Sequence, residues 1–136
     1  MIYYEHNGIL YERWKVGNYK YRMLRDYSIL TPYLLEHPIE TDYFSLVKGR
    51  LTAKVGYAWD GPSGLSIDTK TFRRGSLVHD LPYQMCRERY LDYKIHRYIA
   101  DRMMQQVCIE DGMWKIRAAW CYQAVHLFGE KHARPQ

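Results

Sequence analysis

The chain has few of the features that mark secreted, membrane-spanning or disulfide-linked proteins. Its three cysteines, Cys86, Cys108 and Cys121, fit neither a disulfide framework nor a zinc site with paired ligand spacing. No apolar run approaches the length of a membrane span, and the N-terminus has no signal-peptide pattern. These absences predict a protein with reduced thiols that folds in a cytosol.

The chain also has no block of five like charges. Its formal net charge is +5 over 136 residues, but acidic residues are interspersed among the basic ones. Such a balance permits an acidic partner or an anionic lipid surface, and it predicts no specific nucleic-acid binding.

Aromatic and other hydrophobic residues, in contrast, are plentiful. Hydrophobic residues make up 47% of the chain, and 14 tyrosines and four tryptophans are among them. This composition predicts a single domain over residues 1–136 with an aromatic-rich core. Some of these aromatics are expected to form a contact surface, which makes a homo-oligomer possible.

The chain divides near residue 60, and its first part, residues 1–58, is predicted to be rich in β-strands. Two hairpins are expected: residues 9–16 and 19–23 flank Gly17-Asn18, and residues 43–47 and 50–57 flank Lys48-Gly49. The segment Ser28 to Leu35 fits either a strand or one helical turn.

The second part, residues 69–130, has a helical pattern, with segments near 71–89, 94–110 and 112–128. Strands followed by helices predict an α+β fold. The third segment is apolar around much of its circumference, which favours core or subunit interface over a membrane anchor. Its apolar residues are Trp114, Ile116, Ala119, Trp120, Val125, Leu127 and Phe128.

The residues most indicative of chemistry follow a glycine-rich loop. His79-Asp80 comes sixteen residues after Ser63, and Tyr83 lies four residues further along the same predicted helix. If the first two helices are antiparallel about a turn near Tyr90, His79 and Asp101 are both eleven residues from its centre. At 1.5 Å per residue, each is about 16 Å from the turn, so the two side chains are expected at the same level.

This spacing predicts a division of roles. Asp101 accepts a hydrogen bond from one ring nitrogen of His79, and the other nitrogen takes a proton from the water that attacks an ester. Asp80 is the predicted charged ligand of a Ca²⁺ ion, because a hard cation prefers oxygen ligands. Further ligands are expected from residues 59–68, namely the carbonyls of Trp59, Gly61 and Ser63 and the carboxylate of Asp60.

Together, Gly61-Pro62-Ser63, His79-Asp80, Tyr83 and Ala100-Asp101 resemble phospholipase A2. The likeness is greatest to the lipase domains of small viral capsids and to disulfide-poor bacterial members. The resemblance implies a Ca²⁺-dependent acyl-ester hydrolase that acts on phospholipid or another ester. It also implies catalytic roles for His79, Asp101 and Tyr83.

The segment from Gly56 to Asp101 also resembles an uncharacterised protein family that is widespread in tailed-phage genomes. This second resemblance implies a viral protein that is made in the host cytoplasm, and it leaves an association with the virion open. It leaves open an alternative function: a non-catalytic structural or adaptor protein of the tail or capsid that keeps the lipase-like helices and contacts other virion proteins.

Several other interpretations of the same residues stay open. Asp101 adjoins Arg102, so a surface salt bridge would also explain it. His96 would be needed for a metal phosphohydrolase, but it falls on the turn side of its helix. Cys86 is almost two turns from His79, which disfavours a cysteine nucleophile. Four histidines form no spacing that indicates a site: His6, His37, His126 and His132.

Pro82 is the residue of the first helix that most opposes helix formation. Inside a helix it removes the hydrogen bond to the carbonyl of Val78 and is expected to kink the axis between Asp80 and Tyr83.

Overall fold

A computed structural model describes residues 3–33, 35–61 and 69–135 of the protein. The chain forms two compact units, Met1–Gly61 and Pro62–Gln136. In the described part, the strands belong to the first unit and the helices to the second. The predicted α+β class is confirmed, and so is the change from strands to helices near residue 60. That the two units make one domain stays a prediction.

The first unit contains two antiparallel four-stranded sheets. One has the order β1-β2-β3-β8 and the other β4-β7-β6-β5. The strands are β1 Tyr3–His6, β2 Ile9–Arg13, β3 Tyr21–Met23, β4 Tyr27–Leu30, β5 Ile39–Glu40, β6 Phe44–Val47, β7 Arg50–Ala53 and β8 Ala58–Trp59.

Two-residue turns fix the register of two hairpins. Asn7-Gly8 joins β1 to β2, and Lys48-Gly49 joins β6 to β7. All four residues have positive φ, from 49° to 82°, which matches the twist of the flanking strands. The hairpin predicted around Lys48-Gly49 is therefore confirmed, but its second strand ends at Ala53 rather than at residue 57.

The hairpin around Gly17-Asn18 is also present, but its strands are shorter than predicted. β2 ends at Arg13 and β3 begins at Tyr21, since the intervening residues form their own turn, in which Tyr19 N–H donates to the Val16 carbonyl at 3.1 Å. The segment Ser28 to Leu35, for which the sequence allows either a strand or a helical turn, begins within strand β4. This strand pairs with β7.

Aromatic side chains form much of the core of the first unit, as the composition predicted. The rings of Tyr11, Tyr21 and Trp59 contact one another with centroids 5.1–5.4 Å apart. Tyr11 and Trp59 are fully buried. Such tilted and edge-on contacts stabilise a packed aromatic cluster.

The second unit consists of three long helices and one short one: α1 Lys70–Arg87, α2 Tyr93–Glu110, α3 Lys115–Phe128 and α4 Glu130–Ala133. The three predicted helices are confirmed to within about three residues at each end. Asp92 caps α2, where its side chain accepts the N–H of Lys94 at 2.9 Å.

Helices α1 and α2 are antiparallel, and contacts at several levels hold them together. Arg74 near the start of α1 makes a paired hydrogen bond to Asp111 at the end of α2, at 2.8 and 2.9 Å. Gly75, the next residue of α1, lies so close to α2 that an added Cβ would be 2.4 Å from the Cys108 sulfur. This register places the middle of α1 beside the middle of α2.

Pro82 is buried inside α1, and the helix nevertheless continues from Lys70 to Arg87. The rings of His79 and Tyr83, on either side of Pro82 in sequence, have centroids 4.0 Å apart. The proline therefore does not separate these two side chains.

The sequence favours core or subunit interface for α3, and the structure exposes most of its large apolar side chains. Ile116 and Trp114 are 86% and 84% exposed, and Trp120, Leu127 and Phe128 are exposed as well. Its buried residues are smaller or more polar: Ala118, Cys121, Tyr122 and Ala124. The five exposed side chains therefore do not pack in the core, whereas Val125 is partly buried and packs against it. Within residues 3–33, 35–61 and 69–135, no helix is both long enough and apolar enough to cross a membrane.

Candidate functional site

The centre of the candidate site is a contact between α1 and α2. His79 Nε2 lies 2.8 Å from Asp101 Oδ1. Asp101 is fully buried, whereas the His79 side chain is 15% exposed. With Nε2–H donating to the carboxylate, the second ring nitrogen, Nδ1, keeps its lone pair. The predicted proximity of these two residues is observed.

Tyr83 is the third member of this group. Its hydroxyl donates to the same oxygen, Asp101 Oδ1, at 2.7 Å, and its ring packs against that of His79. Burial and the neighbouring Asp101 charge raise the pKa of Tyr83 well above its ordinary value of 10.0. Tyr83 is therefore a neutral hydrogen-bond donor that holds the carboxylate and the imidazole together.

Two further groups approach the other carboxylate oxygen. Arg97 Nη1 and His126 Nδ1 are each 3.6 Å from Asp101 Oδ2. Arg97, one turn before Asp101 on α2, also donates to the backbone carbonyls of Val125 and His126 at 3.1 and 3.0 Å. These hydrogen bonds hold the last turn of α3 close to Asp101.

The buried carboxylate thus has polar neighbours from three helices: hydrogen bonds reach Oδ1, and two further nitrogen atoms lie 3.6 Å from Oδ2. His79 and Tyr83 come from α1, Arg97 from α2 and His126 from α3. A buried anion is stable only when it is paired and hydrogen-bonded, and this arrangement provides both.

Sequence reasoning missed two of these four neighbours. Arg97 had a signal, because it precedes Asp101 by four residues and shares its helical face. His126 had none, since only the packing of α3 brings it to Asp101. The alternative interpretation, a surface salt bridge between Asp101 and Arg102, is wrong because Asp101 is buried. The exposed Arg102 side chain instead donates a hydrogen bond to the Tyr98 hydroxyl at 3.1 Å.

The predicted cation ligands are only partly described. Asp80 follows His79 on α1 and is partly exposed. Ser63, with Pro62 and Gly64, lies outside the described residues. The Trp59 carbonyl accepts the backbone N–H of Lys20 at 3.0 Å, so it is less free to bind a cation than predicted.

The two remaining loop ligands, Asp60 and Gly61, end the first unit. Gly61 has φ +69°, a backbone conformation that favours glycine. Among the described residues, no three His, Cys, Asp or Glu side chains are grouped so that they could hold a metal ion. The proposed set differs from such a cluster because it includes carbonyl oxygens and Ser63, so the calcium site stays a prediction.

The alternative site residues differ in environment. His96 lies in the first turn of α2, and its Nδ1 is 3.1 Å from the Asp92 carbonyl. Cys86 is buried, and burial followed by the Asp92 charge raises the pKa of its thiol to about 11. A thiol with that pKa is protonated at neutral pH, which agrees with the expectation that it is not a nucleophile.

No family model matches the chain, and comparisons with curated proteins and with solved structures also give no match. The resemblances to phospholipase A2 and to a tailed-phage family therefore stay predictions that depend on the motifs alone.

Proposed function

We propose that the protein is a phage-encoded, Ca²⁺-dependent acyl-ester hydrolase resembling phospholipase A2. The observation that supports this most is the buried Asp101 carboxylate, which accepts hydrogen bonds from both His79 and Tyr83. A histidine fixed in this way, with its side chain 15% exposed, has the geometry of a general base.

The chemistry that follows is ester hydrolysis. His79 Nδ1 accepts a proton from water as the water oxygen attacks the ester carbonyl carbon. Asp101 stabilises the resulting imidazolium through Nε2. When the bond between the carbonyl carbon and the alcohol oxygen breaks, the imidazolium returns that proton to the leaving oxygen. The products are a carboxylic acid and an alcohol.

Asp80, which follows His79 on α1, is the proposed carboxylate ligand of calcium. Carboxylate and carbonyl oxygens are the ligands that Ca²⁺ prefers. When bound, the ion supplies positive charge that stabilises a developing oxyanion.

Fatty-acid release from phospholipid vesicles tests the proposal, with calcium or with a chelator. We expect release by the wild type in calcium only, and a loss of at least about 100-fold in His79→Ala. His96→Ala is the matched control, because His96 contacts its own helix start rather than Asp101. No release by pure wild-type protein, or equal release by His79→Ala, would reject the hydrolase.

Calorimetric titration with CaCl₂ tests the cation site separately. We expect saturable binding by the wild type and weaker binding by Asp80→Asn. Equal heats for the two proteins would show that Asp80 is not a ligand, whatever the outcome of the vesicle assay.

One observation favours a second candidate function, a non-catalytic structural or adaptor protein of a phage tail or capsid. Ile116, Trp120 and Leu127 recur at helical spacing along α3 and are all exposed. Exposed apolar faces of this kind mark contact surfaces. If this function is correct, the wild type forms an oligomer or binds virions, Asp80→Asn assembles normally, and Leu127→Glu does not. Light scattering distinguishes these outcomes, with Gln123→Glu, an exposed polar position on α3, as the control.

A further inference from the structure

Two buried polar atoms in the second unit face each other without a hydrogen bond. They are Asp101 Oδ2 and His126 Nδ1, 3.6 Å apart, and no other buried side-chain nitrogen or oxygen of the described residues lacks a partner. Leaving buried polar groups unpaired is costly, so such a pair requires an explanation.

We infer that His126 is the second histidine of the site, a positioning residue that holds Asp101 through Oδ2 while His79 uses Oδ1. The catalytic importance of His126 rests on the proposed hydrolase function, but the contact between His126 and Asp101 does not. If Nδ1 carried a lone pair, that lone pair would face the carboxylate and repel it. The proton of neutral His126 must therefore be on Nδ1, and a closer approach of about half an ångström completes a hydrogen bond.

The ring of His126 is fixed in this orientation by its neighbours. It stacks on Tyr122 with centroids 5.4 Å apart and an interplanar angle of 12°. Tyr98 meets it edge-on at 6.2 Å. The guanidinium of Arg102 lies 4.3 Å from the centre of the Tyr122 ring. The His126 side chain is 39% exposed, so its outer edge reaches solvent while Nδ1 is buried.

The charged groups around the pair come from every helix of the unit. On α1, His79 and Tyr83 bond to Oδ1 of Asp101; on α2, Arg97 lies 3.6 Å from Oδ2. From α4, Glu130 acts electrostatically on Arg97. His126 thus shares the negative charge of Asp101 with His79. Removing its N–H leaves Asp101 held through Oδ1 alone, so the hydrogen bond between His79 Nε2 and Oδ1 should change as well.

Long-range ¹H–¹⁵N NMR of the histidine rings tests this without any need for activity. In the wild type we expect neutral His126 as the Nδ1–H tautomer. Two matched variants then test the contributions of the N–H donor and of the aromatic ring separately. His126→Phe keeps the ring that stacks on Tyr122 but removes the N–H, whereas His126→Asn keeps an N–H donor near the position of Nδ1 but removes the ring.

At one fixed pH, we expect the Nε2 ¹⁵N resonance of His79 to shift in His126→Phe and to return towards its wild-type position in His126→Asn. An unchanged Nε2 resonance in His126→Phe would overturn the inference. So would neutral His126 as the Nε2–H tautomer, a measurement that needs only the wild type and stands even if a variant does not fold. Vesicle hydrolysis by the same proteins decides the proposed function independently: absent wild-type activity rejects the hydrolase, while the NMR results still decide the role of His126.

Discussion

His79 and Asp101 are 22 residues apart in the sequence, and their Nε2 and Oδ1 atoms are 2.8 Å apart. The turn between α1 and α2 and their antiparallel packing produce this contact. It takes one carboxylate wholly out of water and leaves one histidine edge partly exposed. Four predictions follow from this packing and from the groups around it.

Asp101→Asn should lower both activity and stability. An asparagine amide can turn its N–H₂ towards His79, which favours the tautomer with the proton on Nδ1 and removes the general base. We expect fatty-acid release to fall about 1,000-fold. Loss of the buried charge beside Arg97 should lower the free energy of unfolding by about 3 kcal/mol. Urea denaturation checks the second value, with Asp42→Asn, an exposed acid, as control.

Tyr83→Phe should lower the free energy of unfolding by about 2 kcal/mol, because it removes a buried hydrogen bond to a charged group but keeps the ring that packs on His79. The pKa of Tyr83 is raised in the folded state, first by burial and then by Asp101.

The folded state therefore keeps the Tyr83 proton at pH values where the unfolded chain loses it, so this stabilisation is complete below about pH 10 and falls as pH rises further. Urea denaturation from pH 7 to pH 11 should show the difference between wild type and Tyr83→Phe shrinking above pH 10. A difference that widens there would contradict the prediction.

The thiols of Cys86 and Cys108 should resist alkylation in the folded protein. Burial is the main reason that their pKa values rise, to about 11 and about 12. At pH 8 both are protonated and shielded, so we expect iodoacetamide labelling at least about 100-fold slower than in urea-unfolded protein. Mass spectrometry of labelled peptides measures both rates. Rapid labelling of native Cys86 would reopen the cysteine-nucleophile hypothesis.

Gly75→Ala should destabilise the α1–α2 pair by about 1–3 kcal/mol, because the new Cβ would be 2.4 Å from the Cys108 sulfur. The double variant Gly75→Ala/Cys108→Ala provides the control, since it removes that sulfur. We expect it to be more stable than the sum of the two single changes predicts. Simple additivity in urea denaturation would show that the close contact is not the cause.

Local patterns predicted much of this protein. Turn chemistry predicted the Lys48-Gly49 hairpin, and residue spacing predicted the three long helices. The fixed rise of a helix predicted that Asp101 on α2 lies at the same height as His79 on α1. Strand ends were predicted less well. Trp14 N–H still donates across the hairpin to the Lys20 carbonyl at 2.6 Å, but beyond it the N–H groups of Val16 and Tyr19 donate within the loop. Composition does not reveal that competition between loop and strand hydrogen bonds.

The sequence by itself determined the α+β order and the pairing of His79 with Asp101, because both depend on local periodicity and on one short turn. Only the tertiary structure decided that Asp101 is buried rather than at the surface, that His126 reaches it from α3, and that Ile116 and Trp114 face outward. These outcomes depend on how the third helix rotates and packs against the first two, and contacts between residues distant in sequence set that rotation.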